Sequence, residues 1–224
     1  MRIRKKKHLA ERLEGVREIL LVAKRDIPNV KLANLDKCYM DFNELFSNDN
    51  PVNLEIGCGK AGFIIECAKK NPNENYLAVE LLENIIVMGA EKCLKDQVKN
   101  VRFFNCGAEY LPRYIKPNSI SKIFLNFSPP YPAGTYENRR LTKTELILDY
   151  RDYLNDGGEI LQKTDDKDFF EYSFNQFKAN GFIVNDISND IESGRIENIQ
   201  TEYEKKFRKL NMPIYALSAK ISRE

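Results

Sequence analysis

Short apolar runs alternate with helical repeats along most of this chain. Val52, Leu54 and Ile56 mark a run over 52–56 that suits a buried strand and ends at glycine. Residues 59–70 follow at helical spacing and stop at Asn71-Pro72. The same rhythm predicts strands over 76–80, 101–106, 120–126, 159–163 and 182–187. Helices are predicted over 83–95, 109–114, 142–154 and 168–179, with turns at Asn155-Asp156-Gly157-Gly158 and Asn180-Gly181. The segment 214–220 reads as a last strand. Strands alternating with helices imply an α/β fold whose mainly parallel sheet is covered on both faces. No helix of ordinary length separates the last two of the seven strands, so they are expected to form an antiparallel edge. No internal repeat or linker interrupts the pattern. One domain over 51–224 is expected, preceded by an extension over 1–50 that packs on it.

Composition narrows the chemistry. The 224 residues are 42% hydrophobic and 30% charged, as in a soluble globular chain. Ile19-Leu20-Leu21-Val22-Ala23 is a helix face at most, far short of a membrane span, and no signal-peptide core follows the basic start. Five cysteines (Cys38, Cys58, Cys67, Cys93, Cys106) form no CxxC pair, and His8 is the sole histidine. A Cys/His metal site and a histidine-based nucleophilic triad are thereby excluded, and a reducing cytosol is expected. Residues 1–25 hold nine Lys/Arg against three Glu, so the body of this +2 chain is near −4. A basic arm on an acidic body points to an anionic partner, most commonly nucleic acid.

The first predicted strand ends in Glu55-Ile56-Gly57-Cys58-Gly59-Lys60. In an open parallel sheet, ligands sit beyond the C-terminal strand ends. Gly57 and Gly59 let the backbone turn tightly and approach a ligand there. The second strand ends in Glu80, which can accept hydrogen bonds from both hydroxyls of a ribose. Gly57, Gly59 and Gly62 also fit the spacing of a dinucleotide-binding dehydrogenase. Glu55, two positions before the first glycine, suits an ammonium better than a pyrophosphate. S-Adenosylmethionine carries an ammonium and a sulfonium, and Glu55 with Glu80 gives a suitably acidic pocket. The third strand ends in Asn105-Cys106-Gly107-Ala108-Glu109, where an adenine would rest against Asn105 or Glu109.

Downstream stand Asn126-Phe127-Ser128, Arg139-Arg140-Leu141, Lys163-Thr164-Asp165 and Thr201-Glu202-Tyr203-Glu204. With the glycine turn, these pieces occur in the order seen in bacterial tRNA (guanine-N7)-methyltransferases, and the chain resembles that family over nearly its whole length. The resemblance implies a Rossmann-like methyltransferase fold and methyl transfer from S-adenosylmethionine to guanine 46 in the tRNA variable loop. It implies that Glu55, Gly57, Gly59, Glu80, Asn105, Gly107, Ala108, Glu109 and Asn126 bind the cofactor. It implies that Asp165, Thr201, Glu202, Tyr203 and Glu204 hold the guanine or shape its site, and Arg139 and Arg140 would then grip phosphates.

One loop departs from the family. After the fourth strand the family reads Asp-Pro-Trp-Pro and then a basic run. Here Pro129 replaces the catalytic aspartate, Tyr131 replaces the tryptophan, and Ala133-Gly134-Thr135-Tyr136 replace the basic run. The family's catalytic residue is therefore not carried over, and Asp165 is the remaining catalytic candidate. The prolines of this loop lack backbone N–H groups, so its carbonyls are expected to face a ligand. Two other readings stand. Ser128-Pro129-Pro130-Tyr131 also resembles the motif of methyltransferases acting on amino nitrogens, and loss of the aspartate fits a tRNA-binding relative with little turnover.

Overall fold

The computed structural model describes residues 8–24, 26–132 and 136–221. The basic start at 1–7, Arg25 and the loop substitutions at 133–135 lie outside the described residues. The chain runs α1 (Leu9–Glu14), β1 (Leu20–Val22), α2 (Val30–Leu35), α3 (Phe42–Phe46), β2 (Val52–Ile56), α4 (Gly62–Lys70), β3 (Asn75–Glu80), α5 (Glu83–Lys95) and β4 (Val101–Asn105). A 3-10 turn over Ala108–Arg113 leads to β5 (Ile120–Asn126), α6 (Thr144–Tyr153), β6 (Leu154–Thr164), α7 (Lys167–Ala179) and β7 (Phe182–Asp186). The last elements are α8 (Ser188–Glu192), α9 (Glu202–Lys209) and β8 (Tyr215–Ile221).

The sheet order is β1-β4-β3-β2-β5-β6-β8-β7. All pairs are parallel except those of β8, which lies antiparallel between β6 and β7. The antiparallel edge is as expected, but the sheet has eight strands instead of seven. The extra one is β1, in the segment read as a helix face. Leu20 and Val22 pair with Phe103 and Asn105 instead of continuing a helix. An edge strand of three residues is too short to show period two in the sequence.

Alternation along each strand divides the interior in two. Val52, Leu54 and Ile56 join Leu146, Ile147, Tyr150 and Phe177 under α6 and α7. On the other face, Tyr76, Ala78, Phe103 and Phe124 pack with Ile64, Ile65, Val87 and Ala90 of α4 and α5. Side chains two apart share a face, so Glu55, Glu80, Asn105, Asn126 and Lys163 all belong to the second face. They come from five neighbouring strands, each at or near its C-terminal end, and form a polar row above an apolar floor.

The N-terminal part is tied down by charge as well as by β1. Arg113 is 1% exposed, and its guanidinium reaches Asp26 at 2.7 Å and Asp36 at 2.5 Å. Its Nε also donates to the Asp36 carbonyl at 3.0 Å. Two carboxylates and a carbonyl thus satisfy the fork of one buried arginine. Among the described residues, no helix is long and apolar enough to cross a membrane.

Candidate active site

The turn after β2 wraps onto β3. The N–H groups of Gly57 and Cys58 both donate to the Val79 carbonyl, at 2.8 and 2.9 Å. Gly57 and Gly59 have φ of 79° and 55°, a region that disfavours side chains. A side chain at Gly59 would meet no atom within 4 Å, so the space above that residue is open. Glu80 braces the rim: one carboxylate oxygen accepts from the Gly59 N–H at 3.2 Å, the other from the Leu82 N–H at 2.9 Å. Each oxygen keeps a second acceptor direction for a ligand.

Glu55 lies at the floor and is 2% exposed. Asn126 Nδ2 donates to its Oε1 at 2.9 Å, while Oε2 is buried with no partner among the described residues. Burial pushes this carboxyl up to about 8, against the Asn126 hydrogen bond and the charge of Lys163, which favour ionisation. A buried carboxylate oxygen without a donor is costly unless a ligand supplies one. An ammonium fits that position in sign and in hydrogen-bonding capacity. A pyrophosphate does not.

Asn105 spends Nδ2 on the carbonyls of Glu80 and Leu81, both at 2.9 Å, and its Oδ1 is buried without a partner among the described residues. It joins the ends of β3 and β4 and keeps an acceptor. Gly107 and Ala108 are buried. The exposed Glu109 turns its carboxylate over Gly107, where an added Cβ would come within 3.0 Å. Gly62, the third glycine, opens α4, and the Glu202 side chain lies 3.3 Å from where its Cβ would be. A carboxylate occupies the ground where the dehydrogenase reading needs a phosphate.

On the opposite wall, three residues expected to make contacts lie inside the protein. Arg140 is 6% exposed. Its guanidinium donates to the carbonyls of Pro130 and Tyr131 at 2.8 and 2.9 Å and lies 4.2 Å from the Tyr172 ring centre. It is turned into the protein instead of toward solvent, and each of those two carbonyls already accepts one internal hydrogen bond. Thr201 is the N-cap of α9, accepting from the Glu204 N–H at 2.9 Å. Glu204 is fully buried among Lys163 (3.1 Å), Arg208 (2.9 Å) and Asn198 (2.6 Å). Burial pushes its carboxyl up, but these donors outweigh burial and hold it below the usual carboxylate range.

Three others remain outward. Tyr203 is 59% exposed and stacks on Phe127 and Phe207, with ring centres 6.0 and 6.3 Å away. Arg139 is exposed, with its guanidinium 4.8 Å from the Tyr136 ring centre. The cap of α7 is Asp166, which accepts from the Phe169 N–H at 2.8 Å. Asp165, its neighbour, therefore does not cap the helix. It is half-buried and has no hydrogen bond or ion pair among the described residues. Sequence reasoning gave no role to Lys163, although a lysine on the same strand face as Leu161 demands a buried partner.

A cavity of about 250 Å³ lies between α4, β5, β6 and the 196–199 segment, lined by Phe63, Phe124, Leu161, Lys163 and Ile199. A larger hollow of about 720 Å³, lined by Asn50, Val52, Ser119 and Asn155, opens at the opposite, N-terminal ends of the strands. Parallel sheets do not place their ligands there. Among the described residues, no His/Cys/Asp/Glu group is arranged to hold a metal ion.

Comparison with known proteins identifies the family and the fold. Residues 49–217 match the family described as "Putative methyltransferase". The tRNA (guanine-N(7)-)-methyltransferase of Bacillus subtilis (strain 168) is 39% identical over 78% of this chain and 82% of its own. Its counterpart from Listeria monocytogenes serotype 4b (strain F2365) is 36% identical over the full length of both. Among solved structures, the 16S rRNA methyltransferase KamB superposes with a TM-score of 0.60 at 15% identity, over 84% of this chain and 96% of its own. The precorrin-6y C5,15-methyltransferase of Geobacter metallireducens GS-15 gives 0.54 at 16% identity, over 91% and 94%. The fold is that of a Rossmann-like methyltransferase, and the chain belongs to the tRNA (guanine-N7)-methyltransferase family.

Proposed function

We propose that this protein methylates N7 of guanine 46 in the variable loop of tRNA, using S-adenosylmethionine, in the cytoplasm. The observation that carries the cofactor half is the unpartnered Glu55 Oε2, buried beside a glycine turn whose rim is held by Glu80. Glu55, oriented by Asn126, would take the ammonium, and Gly57 and Gly59 would allow close approach. Glu80 would take the ribose, and Asn105, Gly107, Ala108 and Glu109 would flank the adenine. When bound, the cofactor supplies an electrophilic methyl group.

The chain's own task is orientation. Guanine N7 has a lone pair and no proton, so no general base is required, and Pro129 in place of an aspartate costs no group needed to deprotonate the acceptor. Holding N7 toward the methyl group accounts for most of the acceleration. Asp165 would accept from the N1–H and N2 amine of guanine and stabilise the cationic product. Tyr203, Arg139 and the basic start at 1–7 would contact RNA. Thr201, Glu202, Glu204 and Arg140 would shape the wall. The residues before 51 act in this reading as an extension fixed to the catalytic domain by β1 and Arg113.

The test is incubation with labelled S-adenosylmethionine and unmodified bulk tRNA, followed by nucleoside analysis and mapping of the modified position. 7-Methylguanosine at position 46 supports the proposal. N6-Methyladenosine would favour chemistry at an amino nitrogen through residues 128–131. RNA binding without transfer would mean a relative with little turnover.

A further inference from the structure

Lys163 carries a buried ammonium to which the proposed reading gives no ligand. It stands at the end of β6, 8% exposed, with its Nζ 5.3 Å from the centre of the Phe63 ring. An ammonium has three N–H donors. The acceptors around it are Asn198 Oδ1, the Ile199 carbonyl at 3.0 Å and Glu204 Oε2 at 3.1 Å. All three belong to the segment that enters and begins α9. That segment has no strand ladder to hold it, and Asn198 adds a second bond to Glu204 at 2.6 Å.

The main chain of the same residue faces the cofactor side. The Lys163 carbonyl accepts from the Phe127 N–H at 2.8 Å, and Lys163 is in register with Asn126. Asn126 in turn donates to Glu55. Phe127, held at φ 51°, stacks beneath Tyr203 and Phe207 of α9. One residue therefore meets the floor of the cofactor pocket through its backbone and the RNA-facing helix through its side chain.

We infer that Lys163 is a positioning residue that sets the height and tilt of α9, and so of Tyr203, relative to the methyl donor. The inference rests on the proposed reading of the site as a tRNA methyltransferase. The role requires the charge to be buried. A lysine in solvent would trade these acceptors for water, whereas here releasing any of them strands a charge away from water. The arrangement thus has one low-energy geometry.

The experiment compares wild type with Lys163→Met/Glu204→Gln. The double substitution removes both charges together and leaves Asn198 and Arg208 able to bond to residue 204, so no lone buried charge is created. The expected result is a melting temperature near wild type and an S-adenosylmethionine affinity at pH 9 within a few-fold of wild type, since the Lys163 charge also favours ionisation of Glu55. With those retained, the KM for tRNA rises about tenfold or more and kcat falls less. Lys163→Arg, which keeps charge and donors, recovers part of the loss. Amide exchange at 198–204, read without any turnover, accelerates while β2 stays protected. Wild-type kinetics together with unchanged protection of 198–204 would overturn the inference. Absence of any methyl transfer by wild type would sink the functional reading instead, and the exchange result would still decide whether Lys163 fixes α9.

Discussion

Asn126 donates one hydrogen bond to Glu55, at 2.9 Å, and thereby fixes a carboxyl group whose other oxygen has no partner in a fully buried site. The folded-state value of that carboxyl is about 8 against an ordinary 4.5. The folded protein therefore holds a proton that the unfolded chain has lost over this interval. Stability falls as pH rises through the interval, by up to about 1.4 kcal/mol per unit. Glu55→Gln removes this burden and is expected to raise the melting temperature at pH 8 while severely weakening cofactor binding. Affinity of the wild type for S-adenosylmethionine should rise from pH 6 toward 8, approaching about tenfold per unit in the lower part of that range. A flat binding profile by calorimetry would show that Glu55 does not face the ammonium.

Asp165→Ala is expected to abolish methylation and leave cofactor affinity nearly intact. Helix α7 is capped by Asp166, so the substitution spares that cap and the melting temperature should hold. Parallel loss of cofactor binding would contradict a role toward the guanine.

Arg140 and the outer ridge of α9 should separate in salt dependence. Lys205, Lys206 and Lys209 are exposed, have no ion pair among the described residues, and lie at i, i+1 and i+4 on one side of the helix. Replacing all three by Gln should reduce the slope of log affinity for tRNA against log salt by about 2 to 3, at roughly 0.7–0.9 per phosphate contact. Arg140→Ala should lower turnover by releasing the Pro130 and Tyr131 carbonyls and leave that slope unchanged. Filter binding from low to moderate salt checks both, and a slope lowered by Arg140→Ala would return that residue to the phosphate contacts.

Arg113→Met should loosen residues 8–46 before the rest of the molecule. Two exposed carboxylates, Asp26 and Asp36, converge on this one guanidinium, so either Asp→Asn change alone is expected to be milder than loss of the arginine. Limited proteolysis would detect early cleavage before β2. Simultaneous loss of all protection would mean that the clamp supports the whole fold.

The parts of the site legible in the sequence are those dictated by backbone geometry. Gly57 and Gly59 follow a strand, Glu80 ends the next one, and both features survive translation into three dimensions because a parallel sheet aligns strand ends. The helix over 83–95 and the strand over 120–126 have the predicted bounds for a related reason: each has a clear period and a clear stop. What escaped was the direction of long charged side chains. Arg140 and Glu204 sit in sequence among polar neighbours that read as surface, and only tertiary partners such as Tyr172 and Lys163 turn them inward. Asp165 and Asp166 posed a similar ambiguity, since adjacent carboxylates before a helix are equal candidates for its cap until the backbone assigns one.

Strand β1 also constrains the order in which the molecule is made. Leu20 is synthesised well before its ladder partner Phe103, which arrives only after β2, β3 and two long helices have been translated. A parallel partner this distant cannot be supplied by a local hairpin, so the nascent edge waits unpaired. The neighbouring stretch Glu11, Arg12, Glu14, Arg17 and Glu18 is heavily charged, and charge of this kind discourages strand-to-strand association between ribosome-bound chains during that delay. The edge of the sheet beside β4 is thus completed late, by a segment that was made before its partner.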